Sequence, residues 1–232
     1  MKKSEFFLSR WLCLNLILLV CTGLYGQNLE ELNSGWKCKK ATEVKKDGEA
    51  ISNSSFSIDR WMPAIVPGTV LTTLLKNNLV PDPDYGMNNE KIPDIFNTGN
   101  DYYTYWFALD FSEKLPGNHE EVWLEFRGVN YGCNIFLNGH PLNQEIHKGM
   151  FLRQTYRVTP FLSRDGNNRL AVIVYPPDPP GNPNGGQGGD GWIGRNVAHQ
   201  YVAGWDWIQP VRDRNTGIWD KVYIERTGTV NI

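Results

Sequence analysis

The chain has 232 residues, 23 basic and 25 acidic side chains, a formal net charge of −2 and 12% aromatic content. That mildly acidic balance does not suit binding to nucleic-acid phosphates or anionic lipid, both of which reward a basic face. The length is ample for one β-sandwich and short for a sandwich joined to a (β/α)8 barrel, which alone needs roughly 250 residues.

Residues 1–26 read as an export signal. Lys2, Lys3 and Arg10 form a basic start, and Trp11 to Tyr25 is apolar except for Asn15, Thr22 and Gly23. That run is shorter than the ~20 residues a membrane span needs, and its flanks suit cleavage near Gly26. Val20 before Cys21 is bulkier than the small residue a lipid-anchor signal carries there. The expectation is a periplasmic or extracellular protein, with residues 27–232 as one domain and no membrane contact after cleavage. Loss of three basic residues and Glu5 takes the net charge from −2 to −4. Cys38 and Cys133 remain, either bridged or separately buried, and structural in both cases.

Trp36 to Lys39 is a candidate first strand. Residues 43–57 are polar, and Asp47-Gly48 signals a turn, so a hairpin or surface loop is expected there. Pro63 and Pro67 bend the chain before Thr69, which caps a short helix over Val70–Lys76 with Val70, Leu71, Leu74 and Leu75 as its apolar stripe. Pro81 to Gly86 is a rigid turn in which Asp82 and Asp84 read as turn formers. Strands follow. Tyr103, Tyr105, Phe107, Leu109 and Phe111 share a face, and Val122, Leu124 and Phe126 alternate with Trp123, Glu125 and Arg127. Ile135 and Leu137 lead into Asn138-Gly139, a hairpin signal. Phe151 to Val158 alternates weakly, Leu170 to Tyr175 is an apolar run suited to a central strand, and Val222 and Ile224 close the set. Short strands, turns and one short helix describe an all-β antiparallel two-sheet sandwich. The Pro- and Gly-rich stretch 176–191 reads as a long loop of that domain.

The densest chemical signal lies at 204–219, GWDWIQPVRDRNTGIW. Four of the chain's nine tryptophans fall between 192 and 219. Rings, a carboxylate and turn formers together suit a shaped concave surface. A pyranose offers an apolar C–H face and a rim of hydroxyls, and Trp205, Asp206 and Trp207 supply a flat ring and a charge-assisted acceptor for it. Arg195 is a candidate to orient Asp206. Asp213, between Arg212 and Arg214, reads as a salt-bridged loop residue. The four histidines show no ligand spacing, so no metal is expected, nor any other cofactor. No nucleophile elbow or phosphate-cradling loop is present. Glycoside hydrolysis needs a carboxyl pair at ~5 Å or ~6.5–9.5 Å. Among Glu125, Asp206, Asp213 and Asp220 no such pair can be named, and Glu125 points to solvent on its strand.

Residues 195–225, RNVAHQYVAGWDWIQPVRDRNTGIWDKVYIE, resemble the end of the N-terminal sugar-binding domain of glycoside hydrolase family 2, in the branch of β-mannosidases and exo-β-glucosaminidases. VPGTV at 66–70, DPDYG at 82–86, DYYTYWF at 101–107, LEFRGVNYGCNIFLNGH at 124–140 and NRLAVIVYPP at 168–177 agree, while Ile208-Gln209 departs from the Gly-Pro usual in β-mannosidases. The resemblance implies a galactose-binding-like jelly roll, a carbohydrate ligand with a terminal β-linked sugar, and a following (β/α)8 catalytic domain that carries the glutamates. It gives Trp205 and Asp206 the role of touching that sugar, and leaves this chain by itself without hydrolytic activity. The rival expectation is a stand-alone secreted carbohydrate-binding module.

Overall fold

The computed structural model describes residues 28–182, 194–204 and 208–228. The proposed signal, the site candidates Trp205, Asp206 and Trp207, and most of the glycine-rich stretch lie outside the described residues.

Eleven strands are described: β1 (Asn28–Glu31), β2 (Lys37–Lys40), β3 (Met62–Pro63), β4 (Tyr105–Ser112), β5 (Glu121–Phe126), β6 (Gly132–Leu137), β7 (His140–Pro141), β8 (His147–Lys148), β9 (Gln154–Arg157), β10 (Asn167–Tyr175) and β11 (Val222–Thr227). They form two antiparallel sheets. One has the order β1-β11-β5-β9 and the other β3-β2-β4-β10-β6-β7, with β8 also on β6. From β4 onward the longer strands alternate between sheets, β4, β6 and β10 in the larger and β5, β9 and β11 in the smaller. Each connection therefore crosses the sandwich, and the inward faces of both sheets close on one core.

The alternation in β5 is the simplest case: Val122, Leu124 and Phe126 are fully buried, while Trp123 and Glu125 are half-buried. They meet Phe107, Leu109, Ile135, Leu137, Leu170 and Val172 from the larger sheet. Burying a side chain of this size contributes roughly 1.5–3 kcal/mol, and truncating one such as Phe126 to alanine costs about 3–5 kcal/mol.

The larger sheet is covered on its outer face as well. Trp106, Ala108 and Ala171 pack there against Ile51, Ile58 and Trp61. This explains why Leu170 to Tyr175 reads as a nearly continuous apolar run, since β10 lies between β4 and β6 with both faces occupied. Ile51 belongs to the segment 43–57, expected as a hairpin or surface loop, and that expectation is corrected. Asp47 does not start a hairpin but caps a one-turn helix, α1 (Gly48–Ile51), by accepting from the Ala50 amide at 2.9 Å. Gly48 is needed for packing, because a Cβ there would sit 2.2 Å from the Phe136 ring.

The helix expected at 70–76 is present as α2 (Val70–Lys76). Thr69 and Thr72 exchange side-chain and backbone hydrogen bonds in a capping box. A third helix, the single turn α3 (Ile95–Thr98), begins at Asp94, whose side chain accepts from the Phe96 amide. Asn138-Gly139 forms the expected turn between β6 and β7, with positive φ at both residues. Asp82 accepts from the Asp84 amide at 3.0 Å, so it is a turn former as expected. Cys38 and Cys133 are both buried and free. Burial pushes both thiols up to about 12, which leaves them unionised and unreactive.

Candidate functional site

The described residues around 205–207 belong to a loop system at one end of the sandwich, held by buried charge. Arg214 is fully enclosed, and its guanidinium uses all of its donors. Nη2 and Nη1 bind the two oxygens of Asp94 at 2.8 and 3.0 Å. Nε reaches the Pro180 carbonyl, Nη2 the Gly181 carbonyl and Nη1 the Val211 carbonyl. Three separate segments, 93–98, 180–181 and 211–214, thus meet on one side chain. Arg212 adds a second contact to Asp94 at 3.3 Å and binds the Asn89 carbonyl at 2.9 Å. Asn89 returns a bond to the Pro210 carbonyl, and the Ile95 amide donates to the Arg212 carbonyl. A charge with a complete set of partners tolerates burial, and such a cluster leaves its loops little freedom.

Asp213 corrects the sequence expectation. Its flanking arginines pair with Asp94, and Asp213 itself faces α2. Its Oδ2 accepts from the Leu71 amide at 2.7 Å and its Oδ1 from the Asn215 amide at 2.9 Å. The Leu71 amide is one of the first-turn donors of α2 that the helix cannot satisfy itself, so Asp213 caps that helix from 142 positions away. Burial raises its carboxyl to about 6 against the opposing pull of the Leu71, Asn215 and Thr69 donors. Asp213 lies in a loop as expected, but the expected salt bridge is absent among the described residues because its partner is the remote first turn of α2. The Val70 amide bonds the Thr216 carbonyl and the Gly68 amide the Ile218 carbonyl, drawing 216–218 along the entry to α2. Gly217 lies so close to that entry that a Cβ would be 2.5 Å from the Gly68 carbonyl oxygen.

Beside these loops lies an aromatic surface that sequence reasoning missed. The rings of His199 and Tyr201 stack with centroids 5.3 Å apart. Phe151 meets His199 at 5.3 Å and Trp219 edge-on at 6.1 Å. Trp219 donates its indole N–H to the Met150 carbonyl at 3.0 Å, which fixes the ring. Phe151 and Tyr201 remain 49% and 48% exposed, and Leu152 54%. Only Trp219 of this group carried a signal in the sequence. Phe151 looked like the start of a weak strand, and His199 and Tyr201 lay outside any periodic pattern.

The described neighbours of 205–207 belong to the same assembly. The Gly204 amide donates to the Tyr201 carbonyl and the Val211 amide to the Val202 carbonyl. Trp205, Asp206 and Trp207 are outside the described residues, as is any contact from Arg195 to Asp206. Among the described residues no group of three or more His, Cys, Asp or Glu side chains is placed to hold a metal. Glu125 pairs with Arg127 at 3.0 Å, and Arg127 lies over the Tyr223 ring on the outer face of the smaller sheet.

Residues 36–220 match the family described as glycosyl hydrolase 2 galactose-binding domain-like. The chain belongs to that family. The family-2 domain is 51% identical over 206 residues to the mannosylglycoprotein endo-β-mannosidase of Lilium longiflorum, covering 87% of this chain and 21% of that protein. It is 28% identical to an exo-β-D-glucosaminidase of Streptomyces avermitilis, over 85% of this chain and 19% of that one. Among solved structures it superposes on the exo-chitosanase CsxA of Amycolatopsis orientalis with a TM-score of 0.66 at 25% identity, covering 87% of this chain and 21% of that one. A β-D-mannosidase from Dictyoglomus thermophilum gives 0.60 at 27%, covering 87% and 22%. The family-2 domain therefore spans about a fifth of the length of these relatives, which are larger glycoside hydrolases.

Proposed function

We propose that this domain forms one wall of the substrate pocket of an exported glycoside hydrolase of the β-mannosidase or exo-β-glucosaminidase type. The relatives named above act, by their names, on β-mannosides and β-glucosaminides, and the domain covers only about a fifth of each. The catalytic carboxyls belong to a (β/α)8 domain outside residues 1–232. Trp205, Asp206 and Trp207, which follow Gly204 in the chain, are the residues assigned to meet the sugar. The indoles lie under the apolar face of a terminal β-linked sugar, and Asp206 accepts hydrogen bonds from its hydroxyls. The export signal at 1–26 delivers the protein to the periplasm or the exterior.

The observation that carries this reading is the half-exposed ring cluster of Phe151, His199, Tyr201 and Trp219 beside a loop system fastened by a saturated, buried Arg214. Contiguous exposed apolar surface next to a rigid loop marks a face made to be covered. Here the cover is the catalytic domain, with the sugar held at the seam.

Two measurements test it. The 27–232 domain alone turns over neither an aryl β-mannoside nor an aryl β-glucosaminide. In a longer protein that contains the catalytic domain, Asp206→Asn lowers kcat/KM by about 10- to 150-fold, the worth of one charge-assisted hydrogen bond of ~1.5–3 kcal/mol. An unchanged kcat/KM removes Asp206 from the pocket, and turnover by the isolated domain removes the division of labour.

A further inference from the structure

A concave site lies on the opposite side of the larger sheet from the inter-sheet core, formed by the covering segment and the outward face of β2. It encloses about 630 Å³ and is lined by Lys39, Glu43, Lys45, Lys46, Phe56, Ser57, Asp59, Arg60 and Trp61 among others. That volume is within the 300–1,000 Å³ range of small-ligand sites. None of its residues belongs to the loop system of 204–219.

Its walls are fixed from behind. Trp61 and Phe56 meet edge-on with ring centroids 6.1 Å apart, and Trp61 packs in the cluster with Trp106 and Ile58. The Phe56 carbonyl accepts from Nη1 of Arg169, a buried residue of β10 that also pairs with Asp110. The cleft is therefore tied to the central strand rather than carried on a free loop.

Its charge is uneven in a specific way. Both carboxylates on the lining already have partners. Asp59 accepts from the Ser57 hydroxyl at 2.9 Å and faces Lys37 at 3.8 Å, while Glu43 faces Lys39 at 3.8 Å. Lys45, Lys46 and Arg60 have no acidic partner among the described residues. Three uncompensated cations around one apolar-floored hollow run against a chain whose net charge is −2. A cleft with an excess of one sign of charge concentrates the opposite ion, and a guanidinium beside ammonium groups suits sulfate, phosphate or carboxylate oxygens.

We propose that this cleft binds an anionic saccharide unit, a sugar ring bearing a sulfate, carboxylate or phosphate group. The ring rests against the half-buried Phe56, which Trp61 backs, and the acid group is held by Lys45, Lys46 and Arg60. The site is separate from the proposed pocket wall and holds a charged part of a glycan away from the bond being cut.

Isothermal titration of the 27–232 chain tests this with three probes: a sulfated disaccharide, the same disaccharide without sulfate, and sodium sulfate alone. The expected result is binding of the sulfated sugar, at least tenfold weaker binding of the neutral one, and weaker binding of free sulfate. Raising the salt from about 50 to about 200 mM weakens the sulfated sugar several-fold, because the cations are exposed and screened. Arg60→Ala and the double variant Lys45→Ala/Lys46→Ala each reduce its affinity at least fivefold with unchanged circular dichroism. Equal binding of sulfated and neutral sugar, or no detectable binding of the sulfated sugar at ~10 mM, overturns the proposal. Free sulfate binding as tightly as the sulfated sugar overturns it as a saccharide site.

Discussion

Replacing Arg214 tests whether the loop system is held by its buried charge. The residue sits at φ 52°, so the new side chain must tolerate a left-handed backbone, as arginine already does. Arg214→Ala removes both bonds to Asp94 and leaves the carbonyls of Pro180, Gly181 and Val211 without this donor. Breaking a buried pair from one side costs about 3–5 kcal/mol. Asp94 retains Arg212 at 3.3 Å and the Phe96 amide at 2.9 Å, which places the expected loss near the lower end, about 3 kcal/mol. Arg214→Lys keeps the charge but not the two-pronged geometry, and about 1.5–2 kcal/mol is expected. A domain of this size has roughly 5–15 kcal/mol in total, so both variants still fold. Urea denaturation measures the global loss, and hydrogen exchange locates it. The amides of Ile95 and Val211 lose more protection than those of β10, because both bond into the clamped loops. Arg214→Ala within ~1 kcal/mol of the parent, with Ile95 and Val211 still protected, would refute the idea that this guanidinium organises the site.

Asp213 makes stability depend on pH. Its folded-state pKa of about 6 lies above the ordinary 3.8, so the folded state prefers the protonated form. Its contribution is present below about pH 3.8 and lost as pH rises through about 6, a change of about 3 kcal/mol. The difference in stability between the parent and Asp213→Asn should shrink by about that amount between pH 4 and 7. A pH-independent difference counts against the assignment. Gly217→Ala should lower stability by at least ~2 kcal/mol, since its Cβ would meet backbone at Gly68 and Thr69 and neither can rotate away. A thermal midpoint within a degree of the parent would show that the loop slides freely past α2. In a chain starting at Gln27, Cys38 and Cys133 should resist a thiol reagent in the native state and react fully in denaturant. With thiols at about 12, roughly one in 10⁵ is ionised at pH 7, and both are enclosed. Rapid native labelling would mean that the sandwich opens locally around β2 or β6.

Much of the scaffold was legible one strand at a time. Val122, Leu124 and Phe126 declare an inward face by their spacing, Asn138-Gly139 declares a hairpin by its tolerance of positive φ, and Thr69 declares a helix start. These are local properties, set by neighbours within a few residues. The segment 43–57 was misread because Asp-Gly is a turn signal locally, whereas here the glycine answers to the ring of Phe136 in a distant strand.

The amino-acid sequence by itself determined the class of fold, the family, and the concentration of rings and carboxylate near its C-terminal end, since each depends on residue type and spacing. Only the tertiary structure decided which acid serves which arginine. Asp213 lies between two arginines in the chain, yet it caps α2, and Asp94, about 120 residues earlier, takes both guanidinium groups. The physical reason is that a buried charge must find a complete shell of partners. The chain supplies that shell from whatever segments the sandwich brings together, not from those adjacent in sequence.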